Sequence, residues 1–193
     1  MAIAERPAAV APVSSVPPGW DANPSAWRGR HGRLPVLCLS LVGLAVALTL
    51  TLYQLGVLQE VWEPFFGDGS QRVLHSAVSR LLPLPDASLG AIAYVLDAIF
   101  ASLGGTMRWR TAPWAVCAQA LVVLPTACGS VGLLMIQPLL AHAWCSLCLV
   151  SALVSIALAG PTLTELLATL QHLKRVWREG HGFWRPLWGE EAV

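Results

Sequence analysis

The chain has 193 residues, 55% hydrophobic and only 12% charged, with a mean hydropathy of +0.61. A soluble domain usually carries about 25% charge, so composition alone points to lipid, and the length suits one compact domain. A formal net charge of +1 excludes an electrostatic case for a nucleic-acid partner.

Residues 1 to about 33 are rich in Pro, Ala and Ser, with Pro17-Pro18 and Pro24, and contain no apolar run. They predict a disordered arm. They do not read as a secretory signal, because the first apolar stretch starts too late and is too long. Four apolar stretches follow. The first runs from Leu34 to Leu58, with Pro35 placed for a first helical turn. The second runs from about Ala87 to Leu103 and ends at Gly104-Gly105. The third runs from about Ala112 to Leu140 and contains Pro125, a tolerable kink in a membrane helix. The fourth runs from about Ala143 to Ala159 and meets Gly160-Pro161. A hydrocarbon core needs roughly 17–25 helical residues, and each stretch is at or near that length.

Basic residues set the orientation. Arg6, Arg28, Arg30 and Arg33 precede the first stretch, Arg108 and Arg110 separate the second from the third, and Lys174, Arg175, Arg178 and Arg185 follow the fourth. The first connection holds only Arg72 and Arg80, and the third holds none. Both ends and the middle connection are therefore expected on the cytoplasmic side. Trp62 and Trp144 fall at predicted outer boundaries, and Trp109 and Trp114 at the inner one.

Within the long connection from Glu60 to Pro85, Val73, Leu74, Val78, Leu81 and Leu82 recur at helical spacing and predict a short amphipathic helix on the outer face. Thr162 to Trp177 repeats the pattern through Leu163, Leu166, Leu167, Leu170 and Leu173, either along the inner surface or as an extension of the fourth helix. The predicted fold is an all-α membrane protein, a four-transmembrane-helix bundle with a short amphipathic helix in the first outer loop. Its parts are the arm at 1–33, the membrane domain at 34–160 and a cytoplasmic amphipathic segment at 161–193.

Five cysteines, Cys38, Cys117, Cys128, Cys145 and Cys148, are scattered through apolar segments, which is not a disulfide framework. Only Cys145 and Cys148 are near each other. On a helix, residues i and i+3 share a face, so their sulfurs can close a strained, reducible disulfide. The topology puts them in the first turn of the fourth helix, at the outer boundary. A helix N-terminus stabilises a thiolate, and an exported compartment is where disulfides persist. Dithiol chemistry at a membrane face needs an electron acceptor, for which a lipid-soluble quinone is the obvious choice. The competing reading is two small apolar residues packed between helices.

Four helices, a long first outer connection and a Cys-x-x-Cys opening the fourth helix resemble the vitamin K epoxide reductase family and its bacterial homologues. Val73-Leu74-His75-Ser76 resembles the family segment with a buried serine, which falls on Ser76. Asp86-Ala87-Ser88-Leu89-Gly90, followed by Tyr94, resembles the start of the family's second helix, where an Asn often contacts the quinone and Asp86 stands here. The resemblance covers about Pro35 to Gly160. It implies catalytic Cys145 and Cys148, with Cys148 on the quinone side and Cys145 exchanging with another thiol pair. It further implies a quinone (ubiquinone or menaquinone) held near Asp86, Ser76 and Tyr94, and a thioredoxin-like partner that puts disulfides into exported proteins. A bacterial inner membrane location follows from the same resemblance.

The chain also departs from that pattern. Most members carry two further cysteines in the first outer connection, where Trp62 and Ser70 stand here, and the stretch from Glu60 to Pro85 has no cysteine. The family's quinone-contacting Tyr one turn after the pair is Ala152. The internal relay is absent, so either a partner thiol attacks Cys145 directly or the quinone chemistry has been lost. A non-catalytic membrane subunit or assembly factor is the alternative.

Asp97 lies midway along the second helix. A carboxylate there costs about 2.5–3.5 kcal/mol on insertion scales, which suggests either a proton route or a neutral Asp bonded to Gln119 or Ser130. A transporter has no other support. His75 and His142 lie near the outer face, and two histidines do not make a metal site. His142 lies three residues from Cys145, within reach to assist its deprotonation.

Overall fold

The computed structural model describes residues 16–28, 32–74, 85–180 and 184–189. Among them the helices are α1 (Arg33–Gln54), α2 (Gly69–Leu74), α3 (Asp86–Ser102), α4 (Arg108–Thr111), α5 (Pro113–Ile136), α6 (Ser146–Arg178) and α7 (Trp184–Leu187). A 3-10 turn at Ala26–Arg28 and a π-helical turn at Gln137–Ala141 complete the described elements, with no strand among them.

The long helices pack in a closed ring, α1 on α3, α3 on α5, α5 on α6 and α6 on α1. The buried stripe of α1 is Val36, Ser40, Gly43, Ala47 and Leu50, at alternating steps of four and three. Small residues there let a neighbouring helix come close. The Tyr94 ring of α3 fills that space, and a β-carbon on Gly43 would stand 2.4 Å from it.

The opposite faces are apolar and outward. Leu41, Leu48, Ile92, Ile99, Leu121, Met135, Leu153 and Ile156 are all exposed. Exposed apolar surface of this extent is covered by lipid, not water. Three helices are long and apolar enough to cross a membrane, α1, α5 with its continuation to Leu139, and α6. The protein is an all-helical membrane protein. Helix α3 has 17 residues, about 26 Å at 1.5 Å per residue, and packs between α1 and α5.

Three sequence expectations change. Residues 16–28 belong to the segment expected to be disordered, yet they dock on the bundle. Trp20 Nε1 donates to Gln171 Oε1 at 2.7 Å, Asn23 Nδ2 to the Thr106 carbonyl at 2.6 Å and Ser25 Oγ to Glu165 Oε1 at 2.7 Å. Composition cannot register such partners, which come from distant parts of the chain. Second, the boundary drawn at residue 160 does not interrupt the helix, and of the two courses left open for Thr162 to Trp177 the extension of the fourth helix is the one observed. Helix α6 runs through Pro161, because Thr162, Glu165, Ala168, Thr169 and Leu173 continue its buried face against α4 and the N-terminal segment. That packing outweighs the one hydrogen bond a proline removes. Third, Trp109 is buried instead of facing the interface, and meets His172 edge-on with centroids 5.5 Å apart.

In the first connection the described residues hold α2, six residues ending at Leu74, which shares only Val73 and Leu74 with the amphipathic helix expected there. Val78, Leu81 and Leu82 lie outside the described residues, as do His75 and Ser76.

A candidate active site around Cys145 and Cys148

The site is built where α5 hands the chain to α6. Beyond Ile136 the helix loosens into the π turn, and His142, with φ of 48°, reverses the chain. Cys145 follows in extended conformation and caps α6. Its Sγ accepts the Cys148 backbone N–H at 3.2 Å, as an oxygen of Ser or Asp does at other helix starts. Its own N–H donates to Gln137 Oε1 at 3.2 Å. The i to i+3 spacing then brings the Cys148 side chain to donate a hydrogen bond to the Cys145 sulfur. Both cysteines are free thiols; Cys145 has no exposed surface, and Cys148 is half-buried.

Helix α2 covers Cys145 from outside. Gly69 makes the approach possible, because a β-carbon there would lie 2.0 Å from the Trp144 carbonyl oxygen. The next residue, Ser70, thereby sets its Oγ 3.1 Å from Cys145 Sγ. Glu63 completes the cover. Its carboxylate accepts from the hydroxyls of Ser70 and Ser146, and from the Ser146 N–H at 3.2 Å. Val61, two residues earlier, is buried with Leu50, Leu74 and Cys145 and anchors the segment.

Burial tends to raise the Glu63 pKa, but hydrogen bonds from Ser146, Ser70 and the Phe65 backbone outweigh it and hold the carboxyl below its ordinary range. The Cys145 thiol is also held below its ordinary value, first by the Cys148 side chain, with a hydrogen bond from Ser70 and then the Cys148 N–H adding to it. Burial and the Glu63 charge oppose that shift.

The other expected residues are placed as follows. Asp86 opens α3, accepts from Gln54 Nε2 and its own neighbour's N–H, and acts electrostatically on Cys148. Tyr94 is buried, and its hydroxyl meets Ser151 Oγ at 3.0 Å and Ser155 Oγ at 2.8 Å while donating to the Ser151 carbonyl at 2.7 Å. It therefore joins α3 to α6 one turn beyond the pair, with its hydroxyl engaged by protein. Ser76 lies outside the described residues. His142 is exposed, and the side chains acting on Cys145 are instead those of Cys148, Ser70 and Glu63. Among the described residues no group of His, Cys, Asp and Glu has the form of a metal site.

Asp97 belongs to a different cluster. Gln119 Nε2 donates to its Oδ1 at 2.7 Å, and Gln119 Oε1 accepts from Arg108 Nη1 at 2.7 Å. Arg108 also lies 3.7 Å from Glu165, which accepts from Ser25. Ser40 Oγ lies 2.6 Å from Asp97 Oδ2 and 2.9 Å from the Val36 carbonyl. The single Ser40 hydroxyl proton is thus shared between the Asp97 carboxyl and the Val36 carbonyl. Of the two partners expected for Asp97, Gln119 is observed, whereas Ser130 turns to Ser155 and the Thr126 carbonyl.

Sequence reading missed Glu63 and Gln137. No motif marks either, and Glu63 reaches Ser146 across 83 positions. The available signal was a carboxylate between two aromatic residues in an otherwise apolar stretch.

No curated protein and no solved structure matches the chain. The model of the vitamin K epoxide reductase family matches residues 34–163, which takes in α1 from its second residue, α2, α3, α5, the first part of α6 and both Cys145 and Cys148. With that match over most of its length, the chain belongs to the vitamin K epoxide reductase family, whose members are membrane oxidoreductases.

Proposed function

We propose that the protein is a thiol–disulfide oxidoreductase of a bacterial inner membrane, coupling Cys145 and Cys148 to a quinone (ubiquinone or menaquinone). In this reading α3 is the fourth span, both termini are cytoplasmic and the cysteines lie at the outer face. The observation that carries it is the pair itself. Two free thiols share a hydrogen bond at a helix N-terminus, where thiolate is favoured.

A thiolate of an exported, thioredoxin-like partner attacks Cys145 Sγ of the Cys145–Cys148 disulfide. The bond between the cysteines breaks, and Cys148 leaves as thiolate. The partner's second thiolate then displaces Cys145, so the partner departs oxidised and the pair is left reduced. A quinone bound beside Cys148 supplies the acceptor for the two electrons and two protons released when the pair closes again.

The surroundings of Cys148 suit an aromatic ring. Ala87, Tyr53, Val46 and Leu147 pack with Cys148 against the apolar cluster of Leu50, Val61, Leu74 and Cys145, and Gln54 and Asp86 are hydrogen-bonded to each other. Trp62, Phe65 and Phe66, exposed on the segment carrying Glu63, suit a membrane interface or a docking partner.

The test is cysteine alkylation read by mass spectrometry, with and without reductant, after addition of quinone. The expected result is a Cys145–Cys148 disulfide, and quinone-dependent turnover about a thousandfold lower in Cys145→Ser and in Cys148→Ser. Both cysteines staying thiols under every quinone and oxidant would end this reading.

The second reading is a subunit that kept the fold without the chemistry. It draws on Ser70 standing in a relay position and on the complete burial of Cys145. It predicts that the double Cys145→Ser/Cys148→Ser variant supports function as well as the parent does.

A further inference from the structure

Ser70 Oγ touches both the Glu63 carboxylate and the Cys145 sulfur but owns a single proton. As a donor to the sulfur Ser70 favours thiolate, but an ionised carboxylate is a far stronger acceptor than a thiol sulfur, so Glu63 draws that proton to itself. The Ser70 oxygen then turns lone pairs toward Cys145 and accepts its S–H. Cys148 in turn donates to the Cys145 sulfur. The chain of donors runs one way, from Cys148 through Cys145 and Ser70 to Glu63.

The carboxylate does not depend on the sulfur for its place. The Ser146 N–H and hydroxyl hold it at the start of α6. A thiolate at Cys145 would therefore face an oxygen lone pair and a fixed negative charge. Against this stand the Cys148 N–H and the helix N-terminus, which favour thiolate. Among the described residues the titratable groups facing the pair are Glu63 from the first connection, Cys148 from α6 and Asp86 from α3, which acts through Cys148. Helix α2 presents Ser70 to the sulfur, and the π turn presents Gln137 to the Cys145 N–H.

We propose that Glu63 is a positioning residue which, through Ser70, opposes ionisation of the resting, covered Cys145, so that drawing the Glu63 segment aside both exposes the sulfur and frees it to ionise. This rests on the reading of Cys145 as the exchanging sulfur. It assigns to Glu63 and Ser70 a control over when exchange begins. A docking partner that displaces α2 would remove the negative charge and the lone pair together.

The experiment is the pH profile of Cys145 labelling in the reduced, full-length protein in detergent, located by peptide mass spectrometry. The midpoint reports ionisation and the plateau reports access. For Glu63→Gln the midpoint is expected to fall by about one pH unit or more, tenfold more thiolate at fixed pH, because the charge is lost and Ser70 can now donate to sulfur. In Glu63→Gln/Ser70→Ala the midpoint is expected above that of Glu63→Gln alone, since the freed donor is gone. In Ser70→Ala alone it is expected not to rise, which keeps the test available if Glu63→Gln fails to fold. A midpoint that rises or stays put in Glu63→Gln, or rises in Ser70→Ala, overturns the proposal. The profile uses neither quinone nor partner, so its outcome is separate from that of the electron-transfer reading.

Discussion

At one end of the helices, Glu63, Ser70, Cys145 and Cys148 form a line of polar groups that ends on two free thiols. Toward the other end, Ser25, Glu165, Arg108, Gln119, Asp97 and Ser40 form a longer line that ends on backbone carbonyls and cations already matched with anions. The first is held by a six-residue helix and a segment without regular structure, the second by α1, α3, α4, α5 and α6 together. The inner line is a brace: each member satisfies the next, and the fully buried charges Arg108 and Glu165 lie against each other. The outer line can be opened by moving one peripheral segment. Buried polarity alone does not mark chemistry; what differs is whether the cluster contains a nucleophile and a part that can move.

The largest effect that separates the two is expected in the brace. Replacing Arg108 with Met removes the guanidinium 3.7 Å from the buried Glu165 carboxylate and is expected to cost about 3–5 kcal/mol. This would be read as an early thermal transition in detergent. The double variant Arg108→Met/Glu165→Leu should regain most of the loss. A single variant as stable as the parent would remove the brace from the comparison.

A smaller effect is expected in the outer line. In Gly69→Ala the new β-carbon meets the Trp144 carbonyl at 2.0 Å, so α2 must lift. The expected cost is about 1–3 kcal/mol, accompanied by faster labelling of Cys145. Loss of stability with unchanged labelling would mean that α2 does not cover the thiol.

The smallest effect is expected at Asp97→Asn. If Asp97 carries a proton, Asn can accept from Gln119 and donate to Ser40 in its place, and the change should stay under about 1 kcal/mol. Turnover should keep its pH dependence. A large loss of stability would show an ionised carboxylate, and a shifted pH profile would return Asp97 to the proton route.

The sequence by itself determined the long apolar helices, because hydropathy over about 20 residues is a local quantity. It also singled out Cys145 and Cys148 by their separation of three, although Cys145 stands just outside the helix as its N-cap and not on a shared helical face. Only the tertiary structure decided what surrounds them. Helix α6 passes through Pro161, residues 16–28 dock, and Glu63 reaches the start of α6, because packing partners far along the chain satisfy polar groups that local sequence leaves open. The two loop positions show the same division. Serine at 70 reads only as a missing cysteine in sequence, whereas in three dimensions its hydroxyl lies between a carboxylate and a thiol.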